Sequence, residues 1–226
     1  SGLTYVLAPK CGYEILQTTC PEAMYLYGGE DFIKNFSVEN DFTYGIGPGL
    51  GTDYETEEKL MHFLKNYNEP LVLDADALNL ISKNSENLNL IPKNSIITPH
   101  PKEFSRLFGE SKDSFERLEL AKSKAKELNI YIVLKGHHTQ IITPEGNVFY
   151  NITGNSGLAK GGSGDVLLGI ITSFLAQGYS PENAAIFGVW LHGKAADFTA
   201  EKYSKEAMLA SDVIQHIGEV FKYLQK

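Results

Sequence analysis

Asp165 closes a run of small residues, Asn155-Ser156-Gly157-Leu158-Ala159-Lys160-Gly161-Gly162-Ser163-Gly164, and opens the apolar run Val166-Leu167-Leu168-Gly169-Ile170-Ile171. A helix starting there leaves its first backbone N–H groups unpaired and carries the positive end of its dipole. Phosphate oxygens can sit at such a point once the surrounding side chains are small. A carboxylate beside them can orient a hydroxyl and take its proton as a phosphoryl group is transferred. The same residues also suit an ordinary helix start with an acidic first turn. The Gly161-Gly162-Ser163-Gly164 density exceeds what a cap requires and favours the anion site. Neither G-x-x-x-x-G-K-[ST] nor a G-x-G-x-x-G after a first strand is present.

Further groups able to meet a ligand stand where apolar runs end. Gly45, Gly47, Gly49 and Gly51 alternate after Asp41-Phe42-Thr43-Tyr44. Their spacing is wrong for a dinucleotide fingerprint, and they read as a loop that a ligand or another backbone approaches closely, or as a simple turn. Asp74 and Asp76 follow Pro70-Leu71-Val72-Leu73, with Asp76 expected to cap a helix beginning at Ala77. Ser95-Ile96-Ile97-Thr98-Pro99 leads to His100 as a cap, Pro101 at the first helical position and Glu103 one turn in. Ile130 to Leu134 leads to Lys135-Gly136-His137-His138-Thr139. Lys135 is the better anion ligand there. The two histidines, taken as facing opposite ways along a strand, lack a partner at metal-ligand spacing.

The elements that must hold these groups alternate. Strands are expected at 3–8, 22–27, 41–44, 70–73, 95–98 and 130–134, with a polar connection from Gly28 to Asn40 and a hairpin turn at Thr143-Pro144-Glu145-Gly146-Asn147 into Val148-Phe149-Tyr150. Helices are expected from Asp53, from Asp165 to Gln177, from Ser180-Pro181 to about Ala200, and from Ser211 to Tyr223, with His192 a packing residue in the third of these. Short apolar strands alternating with helices give an α/β fold with a mainly parallel sheet covered on both faces, its ligands at the carboxyl ends of the strands. The 226 residues, 42% hydrophobic and 21% charged, suit one such domain. A net charge of -8 disfavours a nucleic-acid surface while allowing a nucleotide at a local basic spot. Cys11 and Cys20 read as reduced thiols, and neither a signal peptide nor a membrane-length apolar run is present, so the chain reads as cytoplasmic.

Taken together and in order, Gly47-Pro48-Gly49-Leu50-Gly51, Leu73 to Asn79, Thr98 to Glu103, Lys135 to Thr139, Asn155 to Asp165 and Ala210-Ser211-Asp212 resemble the NAD(P)H-hydrate dehydratase family. That family has a ribokinase-like three-layer sandwich fold, and the wider kinase superfamily usually carries Asn where this chain has His100. The resemblance covers essentially the whole chain. It implies ADP- or ATP-dependent removal of water from C6-hydrated NADH and NADPH, through phosphorylation of the hydrate hydroxyl and loss of phosphate.

By the same resemblance Asp165 is the base, and the Gly162, Ser163 and Gly164 amides stabilise the transferring phosphoryl. Lys135, Gly136, His137, His138 and Thr139, with Gly164, hold the nucleotide. Gly49, Gly51 and His100 contact the hydrated dinucleotide, and Glu103 organises Mg²⁺ through water. Family members usually begin with a further strand, glycine-rich turn and helix before the segment matching Leu3, which this chain is expected to lack; relatives commonly assemble as homotetramers, and bacterial ones are often fused to an epimerase. A small-molecule hydroxyl kinase, related to pyridoxal or hydroxymethylpyrimidine kinases, would share Asp165 and its loop but leave a stable phosphorylated product. A nucleotide-binding module without turnover would lose nothing in an Asp165→Asn variant.

Overall fold

The computed structural model describes residues 2–36, 39 and 41–225. Its main sheet has six strands in sequence order: β3 (Gly45–Ile46), β4 (Val72–Leu73), β5 (Ile96–Ile97), β6 (Tyr131–Leu134), β7 (Gln140–Ile142) and β8 (Val148–Tyr150). The first four run parallel, and β6, β7 and β8 pair antiparallel. The hairpin between β7 and β8 turns at the expected place, where the Gly146 N–H donates to Thr143 C=O and the Thr143 N–H to Asn147 C=O.

Alternate residues of each strand serve opposite sides of the sheet, as the period of two demands. Leu73, Ile97, Ile132 and Ile142 enter one core, with α2 (Tyr54–Asn66), α3 (Ala75–Ile81), α4 (Pro101–Phe108) and α5 (Ser114–Leu128). Val72, Ile96, Tyr131, Val133 and Ile141 enter the other, with α6 (Ser163–Ala176), α7 (Pro181–Tyr203) and α8 (Ala210–Leu224). The result is three layers, helices on both faces of a mainly parallel sheet. Helix α2 shows how its sequence sets its face: Thr56, Leu60, Phe63 and Leu64 recur at helical spacing and are buried, while Glu55 and Glu57 lie in the first turn and Lys65 in the last, matching the dipole. Helix α5 starts where the Asp113 carboxylate accepts the Phe115 and Glu116 N–H groups and stops at Asn129 in the left-handed region.

Three local expectations need correction. β1 (Tyr5–Pro9) and β2 (Met24–Gly29) pair in parallel as a sheet of their own, joined by α1 (Gly12–Thr19), which the sequence did not announce. Helix α1 has no fully buried residue and no side-chain cap, so no start signal announces it. The first two strands therefore show and the helix between them does not. Helix α3 begins at Ala75, two residues earlier than expected, with Asp74 at its cap position. His137 and His138 lie in a bend, their rings 4.4 Å apart and edge-on, so they do not alternate along a strand. Of the polar connection after β2, residues 37, 38 and 40 lie outside the described residues.

Candidate functional site

Four neighbouring parallel strands end on one edge of the sheet, and the residues just past their ends converge there. β3 delivers Gly47 to Gly51, β4 delivers Asp74, β5 leads through Thr98 and Pro99 to His100, and β6 delivers Lys135. The start of α6 faces them: a Cβ built on Gly164 would stand 3.3 Å from Asp74 Oδ2 and 3.5 Å from Lys135 Nζ. The carboxyl edge of a parallel sheet thus meets a glycine-lined helix N-terminus.

Asp74 is the centre of this cluster. Its side chain is 2% exposed and accepts from Lys135 Nζ at 2.7 Å, while Glu103 Oε2 lies 3.8 Å from the same ammonium. Burial pushes the Asp74 carboxyl above its ordinary value, and the Lys135 charge and hydrogen bond pull it back part of the way. The backbone is crowded at this point. Gly47, at φ +147, passes so near Asp74 that any added Cβ would collide with its carbonyl.

His100 is committed to its helix. Its Nδ1 accepts the Lys102 and Glu103 N–H groups at 3.1 and 3.2 Å, and the Glu103 carboxylate accepts the His100 N–H at 2.7 Å. This reciprocal capping box leaves Nε2 3.4 Å from Glu103 Oε1, with the side chain 44% exposed. Asp76, expected to cap α3, instead accepts the Gly51 N–H at 2.9 Å, tying the glycine loop after β3 to the helix after β4. Asp76 therefore positions the loop that carries Gly49 and Gly51, both at positive φ.

No side chain among the described residues caps α6, whose cap position is Gly162 at φ 86. Asp165 is exposed in its first turn, Ser163 is buried, and Gly136, His137 and His138 are exposed beside Lys135. Thr139 Oγ1 turns back to the Gly136 carbonyl at 3.4 Å. The loop entering α6 is tied to α7. Asp197 accepts from the Gly154 N–H at 3.0 Å and from Asn155 Nδ2 at 3.1 Å, and Thr153 Oγ1 donates to Trp190 C=O at 3.0 Å. Also on α7, His192 is 7% exposed and its Nε2 has no partner among the described residues. Burial, with the Lys135 charge adding to it, pushes its imidazole down to about 4.

Asp165, Lys135, Glu103, His100, Gly49, Gly51 and the Gly162 to Gly164 turn thus gather on one edge of the sheet. Asp74 was flagged by the sequence without a role, and Asp197 was not flagged at all. Asp74 was visible as the first polar residue after a buried strand; Asp197 sits within a helix and gave no signal. Among the described residues no group of three or more His, Cys, Asp or Glu could hold a metal. Asp74 and Glu103 bring two carboxylates within 4 Å of Lys135 Nζ, the oxygen donor type that Mg²⁺ takes beside phosphate oxygens and water. An apolar groove of about 420 Å³ bordered by Phe149, Phe187 and Trp190 lies elsewhere and brings no acid or base to phosphoryl chemistry. No helix among the described residues is long and apolar enough to cross a membrane.

Comparison with known proteins places this edge in a family. The family model for NAD(P)H-hydrate dehydratase matches residues 1–219. A bifunctional NAD(P)H-hydrate repair enzyme from Thermofilum pendens is 33% identical over 223 residues, 98% of this chain; the chain spans 42% of that protein's length. The crystal structure of the ADP/ATP-dependent NAD(P)H-hydrate dehydratase from Bacillus subtilis, co-crystallized with ATP and Mg²⁺ and soaked with CoA, superposes with a TM-score of 0.83 at 33% identity, covering 98% of this chain and 81% of that one. A ribokinase-like superfamily protein from Enterococcus faecalis gives a TM-score of 0.78 at 30% identity over 98% of this chain and 77% of its own. The fold is ribokinase-like, and the chain belongs to the NAD(P)H-hydrate dehydratase family.

Proposed function

We propose that this chain uses ADP or ATP to dehydrate hydrated NADH and NADPH, returning them to the dihydronicotinamide form. The observation that carries the reading is the uncapped start of α6, with Asp165 in its first turn and the Asp74–Lys135 pair against Gly164. A phosphate at that start meets N–H groups that no side chain among the described residues occupies, and the helix dipole favours its charge. Lys135, with the exposed bend of Gly136, His137 and His138 and the half-buried Thr139 after it, lies beside it as the surface for the rest of the nucleotide. The exposed ring of His100 and the Gly49-to-Gly51 backbone form the neighbouring surface for the hydrated dinucleotide.

Asp165 takes the proton of the C6 hydroxyl while that oxygen forms a bond to the terminal phosphorus and the bond to the nucleotide's bridging oxygen breaks. The Gly162 to Gly164 amides stabilise charge on the phosphoryl as it passes. Hydroxide is a poor leaving group and phosphate a good one. The ring nitrogen lone pair then expels phosphate from C6, and a C5 proton passes to water as the C5=C6 double bond forms. Mg²⁺ held by phosphate oxygens, water and the Asp74 and Glu103 carboxylates would neutralise phosphate charge.

The test is to mix protein, Mg²⁺ and chemically prepared hydrated NADH with ADP, and separately with ATP, and to follow near-ultraviolet absorbance. Recovery of NADH in step with nucleotide consumption supports the reading and names the donor. Nucleotide consumption with a stable phosphorylated hydrate and no recovery of NADH overturns it.

A further inference from the structure

Lys160 lies in the loop before α6, and its ammonium reaches into the turn between α7 and α8. Nζ lies 3.4 Å from Lys205 C=O, 2.5 Å from Glu206 C=O and 2.8 Å from Met208 C=O. An ammonium has three N–H donors, and here each has a backbone carbonyl. The three acceptors directly follow the C-terminal end of α7 at Tyr203, where the helix dipole is negative. The carboxylate of Glu206, held below its usual range by its own backbone N–H, the Ser204 hydroxyl and the neighbouring lysine charges, adds to the negative field.

Carbonyl oxygens that converge on one point repel each other unless a cation sits among them. Backbone carbonyl clusters of this kind replace the hydration shell of K⁺ in selective channels. Ammonium and K⁺ have nearly the same size and charge. The turn is also pressed against the loop: a Cβ on Gly157 would collide with Met208 Sδ and lie 2.8 Å from Lys205 C=O, and one on Gly162 would lie 3.2 Å from Ala210 Cβ. Lys160 joins the cluster to the anion site directly, because its own C=O accepts the N–H of Ser163, the first residue of α6, at 3.4 Å.

We propose that Lys160 is a tethered monovalent cation: its ammonium fills a backbone-carbonyl site that clamps the α7–α8 turn to the loop presenting the α6 N-terminus. The intact chain therefore needs no free monovalent cation at this point. Removing the side chain opens a site for NH₄⁺ or K⁺. Lys160 is a positioning residue, and its effect on phosphate binding runs through the loop. The proposal goes beyond the dehydratase reading, and only its ADP-affinity arm rests on that reading; the melting arm does not.

The experiment compares the unaltered chain with Lys160→Ala and Lys160→Met by thermal melting, without substrate, at constant ionic strength in choline, Li⁺, Na⁺, K⁺ or NH₄⁺ chloride. The unaltered chain is expected to melt at one temperature in all five. Lys160→Ala is expected to melt about 4 °C lower in choline, a shift typical of one such interaction in a chain of this length, and to recover saturably with NH₄⁺ and K⁺. Lys160→Met, whose stem fills the vacated space, is expected to stay low in every salt. Affinity for ADP should follow the same pattern. A Lys160→Ala variant that melts like the parent in choline, that no cation restores, or that every small cation restores equally overturns the proposal. A variant that is recovered folded only in K⁺ or NH₄⁺ supports it.

Discussion

Replacing Lys135 by Met removes the positive charge that Asp74 and Glu103 share. The Asp74 side chain is 2% exposed and that of Lys135 21%, so the pair is nearly dry on one side and partly wet on the other. Deleting one partner of a buried ion pair costs about 3–5 kcal/mol, because a charge is left without compensation. Partial exposure of Lys135 puts the expected loss at the lower end, about 3 kcal/mol, which for a domain of this size lowers the melting temperature by about 6–12 °C. The loss should depend on pH in a definite direction. Burial raises the Asp74 carboxyl, and Lys135 opposes that rise. A carboxyl whose folded value lies above its unfolded value favours the folded state in acid, and that contribution is lost as pH rises through the folded value. Without Lys135 the folded value climbs further, so the variant's deficit is full near pH 8 and shrinks on acidification. Adding Asp74→Asn to Lys135→Met should restore most of the stability. Melting curves of the parent, the single and the double variant between pH 5 and pH 8 measure all of this. A Lys135→Met protein within 1 °C of the parent at pH 8, or a deficit that grows in acid, would refute the reasoning.

Asp165→Asn is expected to lower turnover by about 10²–10⁴-fold while ADP affinity is kept, since the side chain is exposed; steady-state rates and calorimetric titration check both halves. His192, held down to about 4 by burial, costs the folded state stability as pH falls from 6.5 toward that value, about 3 kcal/mol at the limit. His192→Leu should flatten this acid limb, and a variant with the parent's slope in urea melts would contradict the assignment. Gly47→Ala drives a Cβ into the Asp74 carbonyl and is expected to abolish soluble protein, whereas Gly49→Ala, at φ 68 with open space around it, should cost about 1 kcal/mol. Comparable melting temperatures for these two variants would show that the β3 loop does not press on Asp74.

Much of this architecture can be read before any coordinates. The apolar runs at Leu71 to Leu73, Ile96-Ile97 and Ile130 to Leu134 mark strands because burial on both faces requires near-continuous hydrophobicity. The His100-Pro101-x-Glu103 pattern marks a helix start because a capping box fixes both residue types and spacing. The density of glycine before Asp165 marks the turn into α6, where a Cβ on Gly164 would stand 3.3 Å from Asp74 Oδ2. What escaped the sequence depends on partners distant in the chain. Asp76 looked like a cap because local chemistry permits one, but Gly51, 25 residues earlier, takes its carboxylate. Asp74 gained its role only when β6 brought Lys135 alongside, 61 residues later. Helix α1 left no trace because it has no fully buried residue and no side-chain cap. Asp197 and Lys160 act on loop backbone that is remote in sequence, where composition holds no record of the contact.

In the proposed reaction the hydrate's own hydroxyl oxygen is phosphorylated at the α6 N-terminus and leaves as phosphate. Hydrated NADH carrying ¹⁸O in its C6 hydroxyl, turned over once with unlabelled nucleotide, decides it by mass spectrometry of the released phosphate. The account predicts one ¹⁸O atom in each phosphate formed per NADH recovered. Label found in water, with unlabelled phosphate, would mean that the hydroxyl departs without being phosphorylated and that nucleotide hydrolysis is a separate event.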